Sequence, residues 1–427
     1  MLLVSLMFIL FFLLAFINVP IAFTLGFAVI VPLMITKTFP LVTVSMAMTQ
    51  AIDSFPFMAI PFFILAGNLM DRGGISERLV KFADSLVGSV YGGLAIVTII
   101  ACTFFGAISG SGPATVASIG GIMIPFMVKE GYDAGFAAAI AAAAGCLGLF
   151  IPPSIAMITY GVTTGQSIGD LFIGGVGPGI MTAIGLSIVA YLISKKRGYK
   201  GHAEFSMKRV MTTLKNAFYP LFMPVIILGG IYGGIFTPTE AAAVAVFYAL
   251  LVGFFLTREL KLKDIPVILK NTAVTTAMVM MIIATATAFG RILTLAQLPA
   301  MLVRIVTENN VGPIMFLLII NIAMLIIGTF MELNATILIL APILVPIAQK
   351  LGVDLVHLGI IMVVNMTFGL LTPPLGTHLF MGCGIAKIKF DSILREIWPM
   401  ILVAVVVILL VTYIPETSMV LIKLISK

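Results

Sequence analysis

The feature that most constrains this sequence is a succession of apolar runs that occupy most of its 427 residues. Only 10% of the residues are charged, whereas an average soluble domain has about 25%. Such a chain cannot cover a soluble surface with polar groups, so the sequence predicts an all-α membrane protein with many spans of roughly 20 residues. The runs lie at about 2–18, 19–36, 56–70, 92–107, 114–128, 134–161, 170–194, 217–236, 240–257, 271–295, 311–330, 336–348, 355–385 and 397–415.

Four of these runs form two pairs, each joined by a brief turn. The first pair makes up the segment of about 92–128 around a Ser-Gly-Ser-Gly-Pro turn, and the second makes up about 311–348 around a Met-Glu-Leu-Asn-Ala turn. The arms at 92–107, 114–128 and 336–348 are short for a full span of roughly 20 residues. Each pair therefore predicts a re-entrant hairpin whose tip lies at mid-membrane.

Two longer runs contain tandem prolines. The run of about 134–161 contains Pro152 and Pro153, and the run of about 355–385 contains Pro373 and Pro374. A proline pair removes two backbone donors and interrupts a helix. The carbonyl groups that are freed need a partner other than lipid, so both runs are predicted to be broken helices.

The hairpins and the breaks recur at one constant spacing, which we call the repeat interval and which indicates an internal duplication. Chance does not readily align a hairpin tip, a Gly-x-Asp turn and a Pro-Pro break without a gap. The predicted domains are a first repeat at 1–215 and a second repeat at 216–427. The pairs separated by the repeat interval are Ala114 and Ala335, Thr115 and Thr336, Pro125 and Pro346, Gly131 and Gly352, Asp133 and Asp354, Gly148 and Gly369, Pro152 and Pro373, Pro153 and Pro374, and Asp170 and Asp391.

Basic residues concentrate in the loops 195–216 and 258–270, and basic loops mark the cytoplasmic side of a membrane. If neither hairpin crosses the membrane, the number of crossings counted from these loops places both termini outside the cytoplasm. The same count gives the two repeats opposite orientations in the membrane, so the repeats are predicted to be inverted. Inverted repeats with discontinuous helices are typical of secondary transporters, whose sites lie near the midplane. The segments 73–91 and 296–310 before the hairpins are predicted to be interfacial helices, with ordinary loops as the alternative.

Hairpin tips and broken helices offer helix N-termini, which favour anions. They also offer free carbonyl and hydroxyl oxygens, which suit a hard cation such as Na+. For any single residue, close helix packing is an equal alternative, since small and hydroxyl residues also line helix interfaces. The candidates are Ser109, Ser111, Gly145, Gly148, Pro152 and Ser154 in the first repeat, and Asn334, Thr336, Gly369, Thr372, Pro373 and Thr377 in the second.

Proton coupling is the rival to Na+ coupling, and it would need a row of intramembrane carboxylates or histidines. The acids at membrane depth are mainly Glu240 and Glu332, and both lie at turns. His357 and His378 are isolated, and a satisfied interior histidine is the ordinary interpretation of each. The sequence therefore favours Na+.

Three residues are candidate contacts for an organic substrate, namely Ser154, Thr377 and Arg291. Arginine binds carboxylates through two parallel hydrogen bonds, although snorkelling to the membrane interface is the alternative role for Arg291. The chain has no phosphate-binding loop and no nucleophile–base or metal-ligand spacing, so catalysis and ATP hydrolysis are not predicted. Its basic residues lie in short loops between apolar runs. This distribution is typical of loops that set the orientation of a membrane protein, and not of a nucleic-acid-binding surface.

Five stretches together resemble one transporter family, and the resemblance covers essentially the whole chain. The combination is similar to the large membrane subunit of tripartite ATP-independent periplasmic (TRAP) transporters. The stretches are Ile60–Met70, Phe105–Thr115, Ile151–Ser154, Phe236–Ala243 and Leu371–Gly376.

The resemblance implies Na+-driven uptake of an organic acid of the sialic acid or C4-dicarboxylate class across a bacterial inner membrane. It also implies a periplasmic binding protein that delivers the substrate, a separate small four-helix membrane subunit, and an elevator-type fold of the ion-transporter superfamily. Family Na+ sites lie between each hairpin tip and the neighbouring helix break. On this sequence they correspond to Ser109, Gly110, Ser111 and Pro113 with Gly148 and Pro152, and to Glu332, Asn334 and Thr336 with Gly369, Thr372 and Pro373.

Two alternatives stay open from the sequence. The chain could be a stand-alone Na+ symporter of divalent anions that needs no binding protein. It could also be a non-transporting membrane subunit of an energy-converting complex, although the expected row of intramembrane Lys, Glu and His is absent from the sequence. Specificity is expected to lie largely in the binding protein, so the sequence does not name the organic acid, the Na+ stoichiometry or the oligomeric state.

Overall fold

A computed structural model describes residues 2–201 and 205–425, and this part of the chain is helical without a β-strand. The helices are α1 (Leu2–Phe16), α2 (Ile21–Thr36), α3 (Val42–Ile52), α4 (Ala59–Arg72), α5 (Ile75–Val87), α6 (Gly93–Ser109), α7 (Gly112–Thr115), α8 (Gly121–Lys129), α9 (Ala134–Gly145), α10 (Leu147–Phe150), α11 (Ile155–Thr164), α12 (Ile168–Arg197), α13 (Met207–Tyr232), α14 (Pro238–Leu251), α15 (Ile265–Leu295), α16 (Leu298–Glu308), α17 (Pro313–Gly328), α18 (Leu333–Lys350), α19 (Leu355–Gly369), α20 (Thr377–Ala386), α21 (Phe390–Tyr413) and α22 (Glu416–Ile425).

Short non-α turns complete several of these helices. A 3₁₀ turn (Phe55–Met58) precedes α4, another (Leu262–Asp264) precedes α15, and π-helical turns (Val116–Gly120 and Val252–Leu256) follow α7 and α14. Within the described residues, eight helical segments are long and apolar enough to cross a membrane. A ninth is obtained if α3 and the segment Phe55–Arg72, which meet at 57°, are counted as one span. The predicted all-α multi-pass fold is confirmed.

Hairpin 1 consists of α6 and the segment from α7 to α8, and its tip contacts the middle of broken helix 1, which is α9 to α11. The Gly110 carbonyl accepts a hydrogen bond of 3.4 Å from the Ile155 N–H. A Cβ on Gly106 would lie 2.7 Å from the Cα of Gly148. Because the broken helix is 31 residues long (Ala134–Thr164), the tip of hairpin 1 lies beside the middle of a span-length segment, which is the arrangement expected of a re-entrant hairpin.

Hairpin 2 (α17 and α18) contacts broken helix 2 (α19 and α20) in the same way. A Cβ on Gly328 would lie 2.9 Å from the Cα of Gly369. Glycine at both positions lets the two backbones touch, which no other residue allows without a shift. The first arm of each hairpin is thus fixed to a helix break through backbone contact.

The two repeats also share helix ends and caps. α8 and α18 end one repeat interval apart, at Lys129 and Lys350, and the starts of α9 and α19 are separated by the same interval. Asp133 caps α9 and Asp354 caps α19, and each carboxylate accepts a 2.9 Å hydrogen bond from the backbone N–H three residues later. Both Pro-Pro bonds of the breaks are cis. The repeat found in the sequence is therefore a structural repeat.

Equivalent helices of the two repeats run in opposite directions. α4 ends at Arg72, whose guanidinium lies 3.2 Å from Asp264 at the start of α15. α12 ends at Arg197, whose guanidinium donates hydrogen bonds of 2.8 and 2.9 Å to Glu396 near the start of α21. In both pairs the end of one helix meets the beginning of its counterpart, so the repeats are inverted as predicted.

Some elements differ from the apolar runs. α3 and α22 were assigned to no run, because Ser45, Gln50, Glu416 and Lys423 interrupt their hydropathy. α13 begins well before the run at 217–236, since its first turns carry basic residues that a helix tolerates. The predicted boundary between residues 215 and 216 consequently falls inside α13. The segments 73–91 and 296–310 do contain helices, namely α5 and α16.

We expect Gly106→Ala and Gly328→Ala to lower the thermal stability of the purified protein in detergent. Each added methyl group meets backbone atoms that cannot rotate away, and overpacking of this kind costs about 1–3 kcal/mol. The measurement is the midpoint of heat-induced loss of the monodisperse peak in size-exclusion chromatography. Gly121→Ala is the matched control, because its added Cβ has no neighbour within 4 Å. Equal midpoints for all three variants would contradict the backbone contacts.

Candidate functional site

Three oxygen atoms gather at the tip of hairpin 1. The hydroxyl oxygens of Ser109 and Thr115 lie 3.2 Å apart. The Ser111 carbonyl accepts a 2.8 Å hydrogen bond from the Thr115 hydroxyl and lies 3.4 Å from Ser109 Oγ. This carbonyl lies against Gly148, where a Cβ would approach it to 2.8 Å. The structure therefore brings the predicted tip residues and the predicted helix break together.

The local sequence explains the shape of this tip. Gly110 ends α6 with a φ of 62°, a left-handed conformation that glycine adopts without a Cβ clash. Ser111 caps α7, and its hydroxyl accepts a 3.4 Å hydrogen bond from the Ala114 N–H. Pro113 lies in the first turn, where its missing N–H leaves no helical hydrogen bond unmade. The chain thus reverses direction with its polar groups turned towards the break.

The tip of hairpin 2 holds a carboxylate where hairpin 1 holds a serine. Glu332 is the counterpart of Ser111 at the repeat interval, and it caps α18. Its carboxylate accepts 2.8 Å hydrogen bonds from the Asn334 side-chain amide and from the backbone N–H of Ala335. The Thr336 hydroxyl donates to the Glu332 carbonyl at 3.0 Å. The arrangement of hydroxyl and carbonyl is the same as at the first tip.

The two breaks differ in their side chains. At the second break, half-buried Thr372 donates a 2.8 Å hydrogen bond to the Phe368 carbonyl. Ile151 occupies the equivalent position in the first break. At the tips, Ser109 of the first repeat is replaced by Phe330 in the second. The first tip therefore supplies the Ser109 hydroxyl, which has no counterpart in the second tip, and the second break supplies the Thr372 hydroxyl, which has no counterpart in the first break. Pro152 is buried and Pro373 is half-buried beside these groups.

Each helix that follows a break contacts the tip of the other hairpin. From α11, the Thr159 hydroxyl donates a 3.0 Å hydrogen bond to Asn334 Oδ1 in hairpin 2. From α20, the buried His378 ring lies against hairpin 1, where a Cβ on Gly112 would be 2.7 Å from Nε2. The hairpins and the broken helices thus form one packed unit, in which the two tips are connected.

A cavity of about 920 Å³, which we call the tip cavity, reaches both hairpin tips. One wall belongs to the packed unit and includes Ser111, Asn334 and Thr377. The opposite wall belongs to the α1–α2 connection, α4 and α15, with Asn18 and Asp71 among its polar residues. Thr377 begins α20, and the preceding glycine supplies no side-chain cap. The N-terminus of α20 is therefore left without a side-chain acceptor at the edge of the cavity.

The other two predicted substrate contacts lie elsewhere. Ser154 is fully buried, and its hydroxyl caps α11 by accepting a 3.5 Å hydrogen bond from the Met157 N–H. Arg291 lines a second cavity of about 390 Å³ between α3, α11, α15 and α18. Of the three predicted contacts, only Thr377 lines the tip cavity.

Several residues of the site were not selected from the sequence. Thr115 could have been found, because it is the counterpart at the repeat interval of Thr336, which was selected. Thr159 and Asp71 carry no comparable signal, since their positions depend on packing between distant segments. In the described residues, no group of three or more His, Cys, Asp or Glu is placed to hold a metal ion. The oxygen-lined tips consist instead of hydroxyl and carbonyl groups with one carboxylate.

Comparison with known proteins places the chain in a family. Residues 8–417 match the tripartite ATP-independent periplasmic transporter family, DctM component. An isethionate TRAP transporter permease of Oleidesulfovibrio alaskensis is 47% identical over 94% of this chain, and the chain spans 64% of that protein. A C4-dicarboxylate TRAP large permease of Pseudomonas aeruginosa is 45% identical over 86% of each chain. A sialic acid TRAP large permease of Vibrio cholerae is 39% identical over 96% of each chain.

Solved structures with low sequence identity share the fold. The YdaH transporter of Alcanivorax borkumensis matches with a TM-score of 0.65 at 14% identity, covering 95% of this chain and 98% of that one. MtrF of Neisseria gonorrhoeae matches with a TM-score of 0.56 at 14% identity, covering 88% and 85%. The relatives in the family are permeases, so the prediction that the chain is not an enzyme is confirmed.

We expect Thr159→Val and Asn334→Ala to be non-additive in thermal stability, because they remove the two partners of one hydrogen bond. The double variant should lose less stability than the sum of the single variants, by an amount equivalent to about 0.5–1.5 kcal/mol. Unfolding midpoints in detergent give the comparison. Thr163→Val combined with Asn334→Ala is the control, since the Thr163 hydroxyl donates within its own helix to the Thr159 carbonyl. Additivity in both pairs would show that the contact between the repeats is absent.

Proposed function

Since the chain belongs to the DctM family of tripartite ATP-independent periplasmic transporters, we propose that it is the large membrane subunit of a Na+-coupled importer of an organic anion. The observation that carries this proposal is the pairing of each hairpin tip with a helix break, beside a single cavity that reaches both tips. The similar permeases are named for isethionate, C4-dicarboxylates and sialic acid, which are all organic anions.

The residues at both tips fit Na+ as a ligand. A hard cation prefers oxygen donors, and the first tip supplies the hydroxyls of Ser109 and Thr115 with the Ser111 carbonyl. The second supplies the Thr336 hydroxyl and the Glu332 carbonyl, to which the break adds Thr372. Bound Na+ supplies positive charge that offsets the cost of carrying an anion into the membrane interior. The remaining members of the two proposed sites are Gly110, Pro113, Gly148, Pro152, Asn334, Gly369 and Pro373.

The substrate anion is proposed to bind at the edge of the tip cavity formed by Thr377 and the N-terminus of α20. A helix N-terminus carries a partial positive charge that favours a carboxylate. The Thr377 side chain is exposed, so its hydroxyl can donate to the same group. Ser154 is not part of this site, because it is buried and already caps α11.

The proposed mechanism is an elevator movement. The unit that would move consists of the hairpins and the broken helices, and the scaffold would include α1–α4 and α13–α15. The tip cavity separates the two and extends to Asn18 and Asp71, which lie at the face that the basic loops predict to be cytoplasmic. This structure is then an inward-facing state, in which the substrate site is open to the cytoplasm.

The proposed assembly contains a separate small membrane subunit and a periplasmic binding protein in a bacterial inner membrane. TRAP large permeases in general work with both partners. In this proposal the two inverted repeats correspond to the division at residues 1–215 and 216–427, with the boundary moved to the start of α13 so that this helix belongs entirely to the second repeat.

The experiment that tests the proposal is uptake into proteoliposomes that contain this chain and its small subunit. Radiolabelled succinate, sialic acid and isethionate are supplied with and without the binding protein, under an inward Na+ gradient or an equal K+ gradient. Uptake that requires Na+ and the binding protein supports the proposal and identifies the substrate. Uptake without the binding protein indicates a stand-alone carrier, and equal uptake in Na+ and K+ rejects Na+ coupling.

We expect Thr115→Val and Thr372→Val to raise the Na+ concentration for half-maximal uptake about tenfold each, which corresponds to about 1.4 kcal/mol of binding free energy. Valine keeps the shape of threonine and removes one oxygen donor. Thr103→Val is the control, because the Thr103 hydroxyl also donates within its helix but lies away from the tip. An unchanged Na+ dependence in both test variants, with uptake intact, would remove these residues from the sites.

A further inference from the structure

Two cavities lie along the same set of helices, on opposite sides of the tip of hairpin 2. On α15, Thr275 lines the tip cavity and Arg291 lines the smaller cavity. The stretch of helix between them is about 24 Å long at the rise of an α-helix. α18 contributes Asn334 to the tip cavity and Pro342 to the smaller one. The cavities are therefore the two ends of one boundary between the scaffold and the packed unit.

The smaller cavity lies on the side opposite to the predicted cytoplasmic opening. Its walls come from α3 and α15 of the scaffold and from α11 and α18 of the packed unit. α18 ends at Lys350 on that side, which is outside the cytoplasm by the count of membrane crossings from the basic loops. The smaller cavity is consequently the outer half of the boundary, which we call the outer cavity.

The outer cavity has a mixed lining of apolar and neutral polar residues, and Arg291 is the charged residue among its described lining. Arg291 is exposed, and it has no acidic partner in the described part of the chain. Gln50 and Ser54 line the same cavity and offer further hydrogen-bond donors, whereas the Thr294 hydroxyl already donates to the Gly290 carbonyl. The outer cavity therefore presents a free guanidinium among neutral polar groups.

The tip cavity has the opposite charge character. Among its lining residues are the acids Asp71 and Glu332, and none of the described residues in its lining is basic. Arg291 is thus the only basic residue among the described residues that line either cavity. The unpaired guanidinium of Arg291 favours the arrival of an anion at the outer cavity, whereas no such group is found among the described lining of the tip cavity.

We propose that the outer cavity is an entry site for the carboxylate or sulfonate group of the substrate, and that Arg291 binds this group before the substrate reaches Thr377. The inference rests on the proposed function, since it assigns a step to the same transport path. Guanidinium recognises oxyanions through two parallel hydrogen bonds. Because α15 belongs to the proposed scaffold, Arg291 does not travel with the substrate. It therefore acts on capture from outside and not on release inside.

The first test measures how Arg291 affects the electrostatic potential in the outer cavity, and it does not depend on transport activity. Thr294→Cys places a thiol in the outer cavity, and the native cysteines Cys102, Cys146 and Cys383 are buried. The reaction rates of this thiol with an anionic sulfonatoethyl and a neutral hydroxyethyl methanethiosulfonate are compared in detergent. Adding Arg291→Gln should lower the anionic-to-neutral rate ratio about fivefold, as expected for the loss of one charge about 4 Å away in water.

Succinate and isethionate supply the second readout of the same assay. Either anion in excess should slow the neutral reagent when Arg291 is present and should not slow it in the Arg291→Gln background. Arg304→Gln is the matched control, because Arg304 is exposed on the adjacent α16 and pairs with Glu308 outside the cavity. A rate ratio that Arg291→Gln leaves unchanged, or protection that persists in it, overturns the proposal. The assay contains no binding protein, so docking of that protein cannot produce the effect.

The third readout is transport by the complex in proteoliposomes. Arg291→Gln should raise the external substrate concentration for half-maximal uptake about tenfold, with the maximal rate and the efflux of preloaded substrate within about twofold of the parent. Arg291→Lys should recover part of the loss. A fall in the maximal rate alone contradicts an entry role. If labelling depends on charge but the parent protein shows no uptake, the proposed function is rejected and the anion site is kept. If uptake is normal but labelling does not depend on charge, only the entry site is rejected.

Discussion

The structure depends on one constraint, which is that a backbone polar group inside a membrane must find its partner within the protein. Two hairpin tips and two helix breaks place non-helical backbone deep in this fold, and each tip meets a break. The Gly110 carbonyl accepts from the Ile155 N–H, and the His378 N–H donates to the Leu370 carbonyl. The side chains of Ser111 and Glu332 cap the second arms of the hairpins. The irregular backbone thus finds its partners inside the protein, between tip and break in the first repeat and within the break in the second.

Close backbone contact keeps each tip at its break. The first arms touch the breaks at Gly106 and Gly148 and at Gly328 and Gly369, where a side chain would separate the backbones. The contact between Thr159 and Asn334 then joins the first broken helix to the second hairpin. Displacing one tip would therefore disturb hydrogen bonds and packing at the other, which makes the hairpins and breaks a single mechanical unit. The proposed elevator movement requires such a unit, whose internal contacts would keep the proposed sites intact.

Features that are local in sequence were predicted well. Tandem prolines mark both breaks, and the repeat interval identifies the equivalent helices. Elements whose hydropathy is interrupted, such as α3 and α22, were missed because a window average does not register helices with scattered polar residues. The separation of Thr377 and Arg291 into two cavities could not be predicted. It results from packing between helices that are far apart in the chain, and no local pattern encodes it.

The duplication also explains why the geometry of the site was more predictable than its chemistry. Positions that shape the backbone are retained in both copies, including the aspartate caps, the break glycines and the prolines. Positions that supply side-chain oxygens have diverged, as the pairs Ser109 and Phe330, Ser111 and Glu332, and Ile151 and Thr372 show. Glu332 has no cationic partner among the described residues, and its two hydrogen bonds hold the carboxylate at the tip. The second tip therefore carries an ionisable group that the first lacks, so the two tips share a shape and differ in side-chain chemistry.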